Sequence, residues 1–219
     1  MTAAQQAALA RHGPRYCIPP NGGTLDFERL FGRRAPCLLE IGFGMGDALS
    51  AMALTHPENN YLGIEVYRPG IGGLLGRLAD ERIDNVRVIC GDAVEVLEGR
   101  IPPRGLDGVY LFFPDPWPKK RHHKRRIVQP GFIALLASRL KPGSLLHMAT
   151  DWEDYARHMI AVMARAEGFE RLTGKEAAMH AAVRPPTKFE RRGRQAGHEI
   201  HDLVYVLRAG AASGLTQEQ

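Results

Sequence analysis

The segment Leu38–Asp47, LLEIGFGMGD, constrains the fold more than any other part of the chain. Its apolar run, Leu38–Ile41, has the length of a fully buried strand and leads directly into Gly42, Gly44 and Gly46. Glycines at that point allow the tight strand-to-helix turn and let the backbone approach a ligand closely. The residues that follow repeat the alternation. Apolar strand candidates Tyr61–Val66, Val86–Cys90, Gly108–Phe113 and Leu145–Ala149 are interleaved with helical stretches. These stretches are Asp47–Thr55, Pro69–Arg82, Ala93–Leu97, Gln129–Leu140 and Trp152–Glu167. Such alternation predicts a doubly wound, mostly parallel sheet. Phe169–Leu172 and Leu203–Leu207 are expected to close it as a pair, which brings the sheet to seven strands. Gly143, after Lys141-Pro142, marks a helix end before the fifth strand.

The flanks are less regular. Residues 1–36 show no clear periodicity and are expected to form a partly flexible arm. Within it PPNGG (Pro19–Gly23) is a loop signal and Leu25–Phe31 a short helix. The domain itself is expected over 37–208, with a long Arg- and Pro-rich insertion at 174–200 and a flexible tail at 209–219. A chain of 219 residues has the length of one α/β domain. Three cysteines, Cys17, Cys37 and Cys90, are far apart and lack CxxC spacing, which argues against a disulfide framework or a zinc site. No metal is expected. No apolar run reaches membrane-spanning length and no secretory signal opens the sequence, so no membrane partner and a cytoplasmic location are expected.

Carboxylates surround the glycine loop. Glu40 precedes it, Asp47 follows it, Glu65 ends the second strand and Asp92 follows the third. A dinucleotide would set its pyrophosphate against the helix after the loop, where two acids would repel it. They suit a cofactor without phosphate and with a positively charged methionine end, such as S-adenosylmethionine. Glu65 is placed to accept from ribose hydroxyls, and Asp92 from an adenine amino group. Helix capping and ordinary surface charge account for each acid singly, and Asp47 has the position of a first-turn acid in any reading.

The second informative segment is Phe112–Arg126, FFPDPWPKKRHHKRR. An apolar strand ends in Asp115, held between Pro114 and Pro116 and followed by Trp117. Six Lys or Arg residues then fall within Lys119–Arg126. The formal net charge of the whole chain is +5, so this run accounts for the basic character and the remainder is close to neutral. A carboxylate and a stacking ring beside a concentrated basic patch are the parts an enzyme acting on a nucleic-acid base needs. The plain alternative is a Pro-rich turn before a solvated charge run. For Trp117, packing the turn on the sheet competes evenly with stacking on a base. His122 and His123 have no metal-ligand company and read as phosphate or solvent contacts.

At this point the chain resembles the bacterial tRNA (guanine-N7)-methyltransferases, from Leu25 to Arg208. The resemblance rests on LEIGFGMG, GIEVYRPGIGGLL, VICGDAVEVL, FFPDPWPKKRHHKRRIVQP, LHMATDWEDYA and PTKFERRG. It implies the class I S-adenosylmethionine-dependent methyltransferase fold, of Rossmann-like type, and methylation of guanine 46 in the variable loop of tRNA. Cofactor contacts are implied at Glu40, Gly42, Gly44, Gly46, Glu65, Asp92 and Asp115, with Asp115 also catalytic. Substrate contacts are implied at Lys119, Asp151, Thr187, Lys188, Phe189 and Glu190. RNA phosphates are expected at Arg121, His122, His123, Lys124, Arg125 and Arg126. The protein is expected to act as a monomer or homodimer on tRNA. Departures from the family pattern are an arm with only Arg11 and Arg15 as obvious basic residues, Gln195 in place of an Arg, and Gly131 after Gln129-Pro130.

Guanine N7 carries a free lone pair, so methyl transfer to it needs no prior deprotonation. Asp115 is then an orienter and electrostatic stabiliser more than a general base, with Asp151 and Glu190 as carboxylates able to share the work. Three other readings compete. An adenine-N6 or cytosine-N4 methyltransferase would carry two prolines between its acid or amide and the aromatic, and Asp115-Pro116-Trp117 is one short. A noncatalytic RNA-binding module would not need the intact glycine loop and Asp115. A nicotinamide oxidoreductase is disfavoured by the acids around the loop and by the lack of GxGxxG.

Overall fold

The computed structural model describes residues 1–185, 188–195 and 197–209. Its elements, in chain order, are α1 (Ala3–Tyr16), β1 (Cys17–Ile18), α2 (Phe27–Phe31), β2 (Cys37–Ile41), α3 (Asp47–Thr55), β3 (Asn60–Glu65), α4 (Arg68–Asp80), β4 (Val86–Cys90), α5 (Ala93–Gly99) and β5 (Leu106–Phe112). A 3₁₀ helix at Lys120–Arg125 precedes α6 (Pro130–Arg139), β6 (Leu140–Thr150), α7 (Glu153–Met163), β7 (Phe169–Arg171), α8 (Gly174–Val183), α9 (Lys188–Gln195) and β8 (His201–Leu207). The described strands form one sheet in the order β1-β4-β3-β2-β5-β6-β8-β7. β8 runs antiparallel to both of its neighbours and the other pairs are parallel. The doubly wound, mostly parallel sheet expected from the alternation is therefore present.

The central strands are buried on both faces, which explains why they read as continuous apolar runs. All six residues of β3 are buried. On one face Leu39, Leu62 and Leu111 pack with Leu97 of α5, Leu136 of α6 and Met159 of α7. On the other, Tyr61, Val86 and Val88 pack with Leu49 and Met52 of α3 and with Leu74, Leu75 and Leu78 of α4. Among the described residues no helix is long and apolar enough to cross a membrane.

Three differences from the sequence reading have physical causes. The sheet has eight strands, not seven, because Cys17 and Ile18 pair with Val88 and Ile89 at its edge. Two residues are too few to display a period. Residues 3–16, read as lacking a periodic element, form α1. Thr2 and Gln5 close a reciprocal capping box there, with Thr2 N donating to Gln5 Oε1 at 2.8 Å and Gln5 N to Thr2 Oγ1 at 3.3 Å. The helix is Ala-rich, continues through Pro14 and has only a weak apolar face, so its docking is tertiary. It lies against α4 where a Cβ on Gly72 would stand 2.5 Å from the Gln5 carbonyl oxygen. Its last residue, Tyr16, is fully buried. Finally, the insertion at 174–200 contains two helices, α8 and α9. The expected tail, 209–219, falls almost wholly outside the described residues.

Candidate active site

The carboxyl ends of β2, β3, β4 and β5 open into one cleft of about 1000 Å³. Ligands of open α/β sheets bind at that edge. Glu40, Gly42, Gly44, Asp47, Glu65, Asp92 and Asp115 all line it. The glycine loop is locked from below: Gly42 N donates to Ile64 O at 2.8 Å and Gly46 N to Phe43 O at 2.8 Å. Gly46 caps α3 at φ +73°, and a Cβ there would come within 2.7 Å of Leu74. A side chain at that position would be both strained and blocked. Gly46 is thus a structural support for the loop and is not one of the residues lining the cleft.

Each acid has a definite place. Glu65 binds the loop to the next turn. Its Oε2 accepts from Gly44 N at 2.7 Å, and its Oε1 from Val66 N at 2.7 Å and Tyr67 N at 2.8 Å. Three backbone donors leave a carboxylate with acceptor capacity for a ligand. Asp92 caps α5, its Oδ1 accepting from Val94 N at 2.8 Å and Glu95 N at 3.2 Å. Asp47, in the first turn of α3, pairs with Arg77 at 2.7 Å. Glu40 differs from all of these. It is 3% exposed, and its Oε2 has no hydrogen-bond partner. Burial, followed by the nearby charges of Glu65 and Asp47, pushes its pKa up to about 8. A buried carboxylate oxygen without a donor, in the wall of a cleft, fits a cationic ligand group. The charged methionine end of S-adenosylmethionine supplies such a group. Met45, Val66, Tyr67 and Val94 line the same cleft with exposed apolar surface suited to a flat ring.

Asp115 is exposed at the end of a turn with unusual backbone, flanked by Phe113 at φ +52° and Trp117 at φ +44°. Side chains in that region are strained and persist where the surroundings hold them. Arg126 provides part of the hold. Its Nε donates to Pro116 O at 2.9 Å, its other end pairs with Asp154 of α7 at 2.5 Å, and its guanidinium lies 4.9 Å from the Tyr155 ring centroid. Arg126 is 2% exposed, so the expectation that it meets RNA phosphate is corrected: it staples the Asp115 turn to α7. His123 leans toward the same staple, with Nε2 at 3.0 Å from Arg126 and 3.7 Å from Asp154. Trp117 lies edge-on to His122 with ring centroids 5.9 Å apart, and Arg125 covers it at 5.0 Å. Lys119, Arg121 and Lys124 are exposed.

The substrate residues implied by the resemblance are more dispersed. Lys119, Asp151 and Glu190 do not line the cleft. Asp151 pairs with His198 at 3.3 Å. Glu190 is buried and pairs with Arg184 at 2.5 Å. Thr187 and the side chains of Lys188 and Phe189 fall outside the described residues. Among the charged lining residues one escaped the sequence reading. Arg192 of α9 reaches the cleft from the insertion, and nothing in the run of arginines at 191–194 distinguishes it from its neighbours.

The sheet order and this acid-lined cleft define a class I S-adenosylmethionine-dependent methyltransferase. Solved structures agree on the fold. The 16S rRNA methyltransferase KamB superposes with a TM-score of 0.61 at 16% identity, covering 85% of this chain and 95% of that one. A family model described as "Putative methyltransferase" matches residues 34–203. The tRNA (guanine-N(7)-)-methyltransferase of Alkalilimnicola ehrlichii is 53% identical over 210 residues, spanning 95% of this chain and 89% of the relative. That of Hydrogenovibrio crunogenus is 52% identical over 94% of this chain and 86% of its own length. The chain belongs to the bacterial tRNA (guanine-N7)-methyltransferase family.

Proposed function

We propose that the protein transfers a methyl group from S-adenosylmethionine to N7 of guanine 46 in the variable loop of tRNA. The observation that carries the reading is the unpartnered, buried Glu40 in the same cleft as Asp115, with Trp117 and the basic 3₁₀ helix at the rim. When bound, the cofactor supplies an electrophilic methyl group on a sulfonium. Glu40 would hold the cationic end, Glu65 would accept from ribose hydroxyls with its remaining lone pairs, and Asp92 would accept from the adenine amino group. The glycine loop keeps these acids in register.

Guanine N7 attacks with its own lone pair, so no residue need remove a proton first. The base gains the positive charge as the N7–methyl bond forms and the methyl–sulfur bond breaks, the sulfur side leaving as a neutral thioether. Asp115, fixed by its turn, stabilises that charge and orients the base by accepting from its N1–H and amino edge. Lys119, Asp151 and the segment Thr187–Glu190 are assigned to the target nucleotide on the strength of the family motifs. Arg121, His122, Lys124 and Arg125 meet phosphates, which position the RNA without reading the base. His123 does so with whatever surface the Arg126 staple leaves it. Activity on tRNA supports a cytoplasmic location.

The test is incubation with labelled S-adenosylmethionine and unmodified tRNA, followed by nucleoside analysis. Label in 7-methylguanosine, lost when guanine 46 is replaced, is expected. Label in N6-methyladenosine or N4-methylcytidine, or none at all, would overturn the proposal.

A further inference from the structure

The late insertion is tied to the rest of the domain through Arg184 and through Gly193 and His198. Glu190 pairs with Arg184, whose Nε and Nη2 also bond both oxygens of Asp202 at 2.8 and 3.0 Å. Asp202 in turn lies 2.7 Å from His147 Nε2. Burial alone would raise the Asp202 carboxyl, but hydrogen bonds from His147 and Arg184 outweigh it and hold its pKa at about 2. Arg184 also lies over Phe112 and Phe113, at 5.7 and 5.4 Å, at the root of the Asp115 turn. Further along α9, Gly193 sits directly on Asp151: a Cβ would stand 2.9 Å from both its Cβ and its Oδ2. His198, whose N–H donates to Gly193 O at 2.9 Å, then reaches Asp151.

This anchoring sets the residue between these ties. Arg192 is exposed and lines the cleft. The cleft wall holds Glu40, Asp47, Glu65, Asp92 and Asp115, against three cations: Arg125, Arg126 and Arg192. Arg126 is committed to Asp154, and Arg125 lies over the Trp117 ring within the basic 3₁₀ helix assigned to phosphates. Among the described residues no ion pair or hydrogen bond engages Arg192. An anion entering so acidic a cleft needs a cation beside it, and a guanidinium matches the two oxygens of a carboxylate or phosphate.

We infer that Arg192 is a ligand-binding residue that grips an oxyanion in the cleft. Two groups carry that chemistry: the carboxylate at the methionine end of the cofactor, and the phosphate beside the target guanosine. The inference rests on the methyl-transfer reading and deepens it. Label transfer to tRNA by the unaltered protein tests that reading on its own, whereas the experiment here is read in binding.

The variants are Arg192→Gln and, as a neighbour away from the cleft, Arg191→Gln. In one arm, calorimetry compares S-adenosylmethionine with its decarboxylated analogue. In the other, tRNA binding without cofactor is followed across a salt series. A loss of roughly ten- to a hundredfold for S-adenosylmethionine but not for the decarboxylated form assigns the carboxylate. Weaker tRNA binding, with the log–log salt slope reduced by about 0.7–0.9 and cofactor affinity kept, assigns the phosphate. Arg191→Gln should produce neither change. Parental values for Arg192→Gln in both arms, or equal losses for Arg191→Gln, would overturn the inference.

Discussion

If Glu40 holds the cationic end of the cofactor, binding must be coupled to its ionisation. In the free protein the carboxyl is buried and has a pKa of about 8. At pH 7 only about a tenth of the molecules carry the carboxylate, and at pH 6 about a hundredth. Each unit below the pKa therefore costs about 1.4 kcal/mol, or tenfold in apparent affinity. The expected gain from pH 6 to pH 7 is about tenfold, with close to one proton released per cofactor bound at pH 7. Measurements stop at pH 8 because the α-amino group of the ligand loses its own proton near there. Isothermal titration calorimetry in buffers of different ionisation enthalpy reads affinity and proton release together. Glu40→Gln should bind more weakly and with little pH dependence. Flat affinity and no proton release in the parent protein would refute the reasoning, because a group already ionised before binding has nothing to release.

Four further outcomes are expected. Because the folded pKa of Glu40 is raised from its ordinary 4.5, the folded state binds this proton more tightly than the unfolded state. Its contribution to stability is present below pH 4.5 and lost as pH rises to 8, so melting of the cofactor-free protein over that window should fall with pH, and less so in Glu40→Gln. Asp202 does not mask the effect, since its depressed pKa of about 2 confines its own loss to more acidic solution. Asp115→Ala should lower turnover at least about a hundredfold with folding intact, the loss typical of a removed transition-state stabiliser; near-normal turnover would exclude the role. Arg126→Ala should cost about 2–3 kcal/mol in denaturant unfolding, as a lost charge-assisted hydrogen bond does, and leave the salt slope of tRNA binding alone. Replacing Arg121, Lys124 and Arg125 with Ala should do the reverse, flattening that slope by about two to three units in a filter-binding series. Equal behaviour of the two variants would remove the distinction between staple and patch.

What the sequence determined by itself were the features encoded locally. The buried parallel strands announce themselves as unbroken apolar runs because both faces are covered. The span Asp47–Thr55 was legible to the residue as a helix, since the glycine turn starts it. Glu40, Glu65, Asp92 and Asp115 could be assigned to one cleft because the carboxyl ends of successive parallel strands share one edge of the sheet. Tertiary structure alone decided the rest. β1 and α1 exist through docking on β4 and α4, which leaves almost no local pattern. Arg126 and Arg125 are adjacent and chemically alike, yet one is buried against Asp154 and Tyr155 and the other is exposed over Trp117. Nothing in the sequence announces the pairing of Glu190 with Arg184, and Arg192 reads as one arginine among several until Gly193 seats α9 on Asp151. Residue type sets what a side chain is able to do. Which of several like charges is buried, paired or left facing a ligand depends on contacts between segments far apart in the chain, and those contacts exist only once the sheet and its helices have assembled.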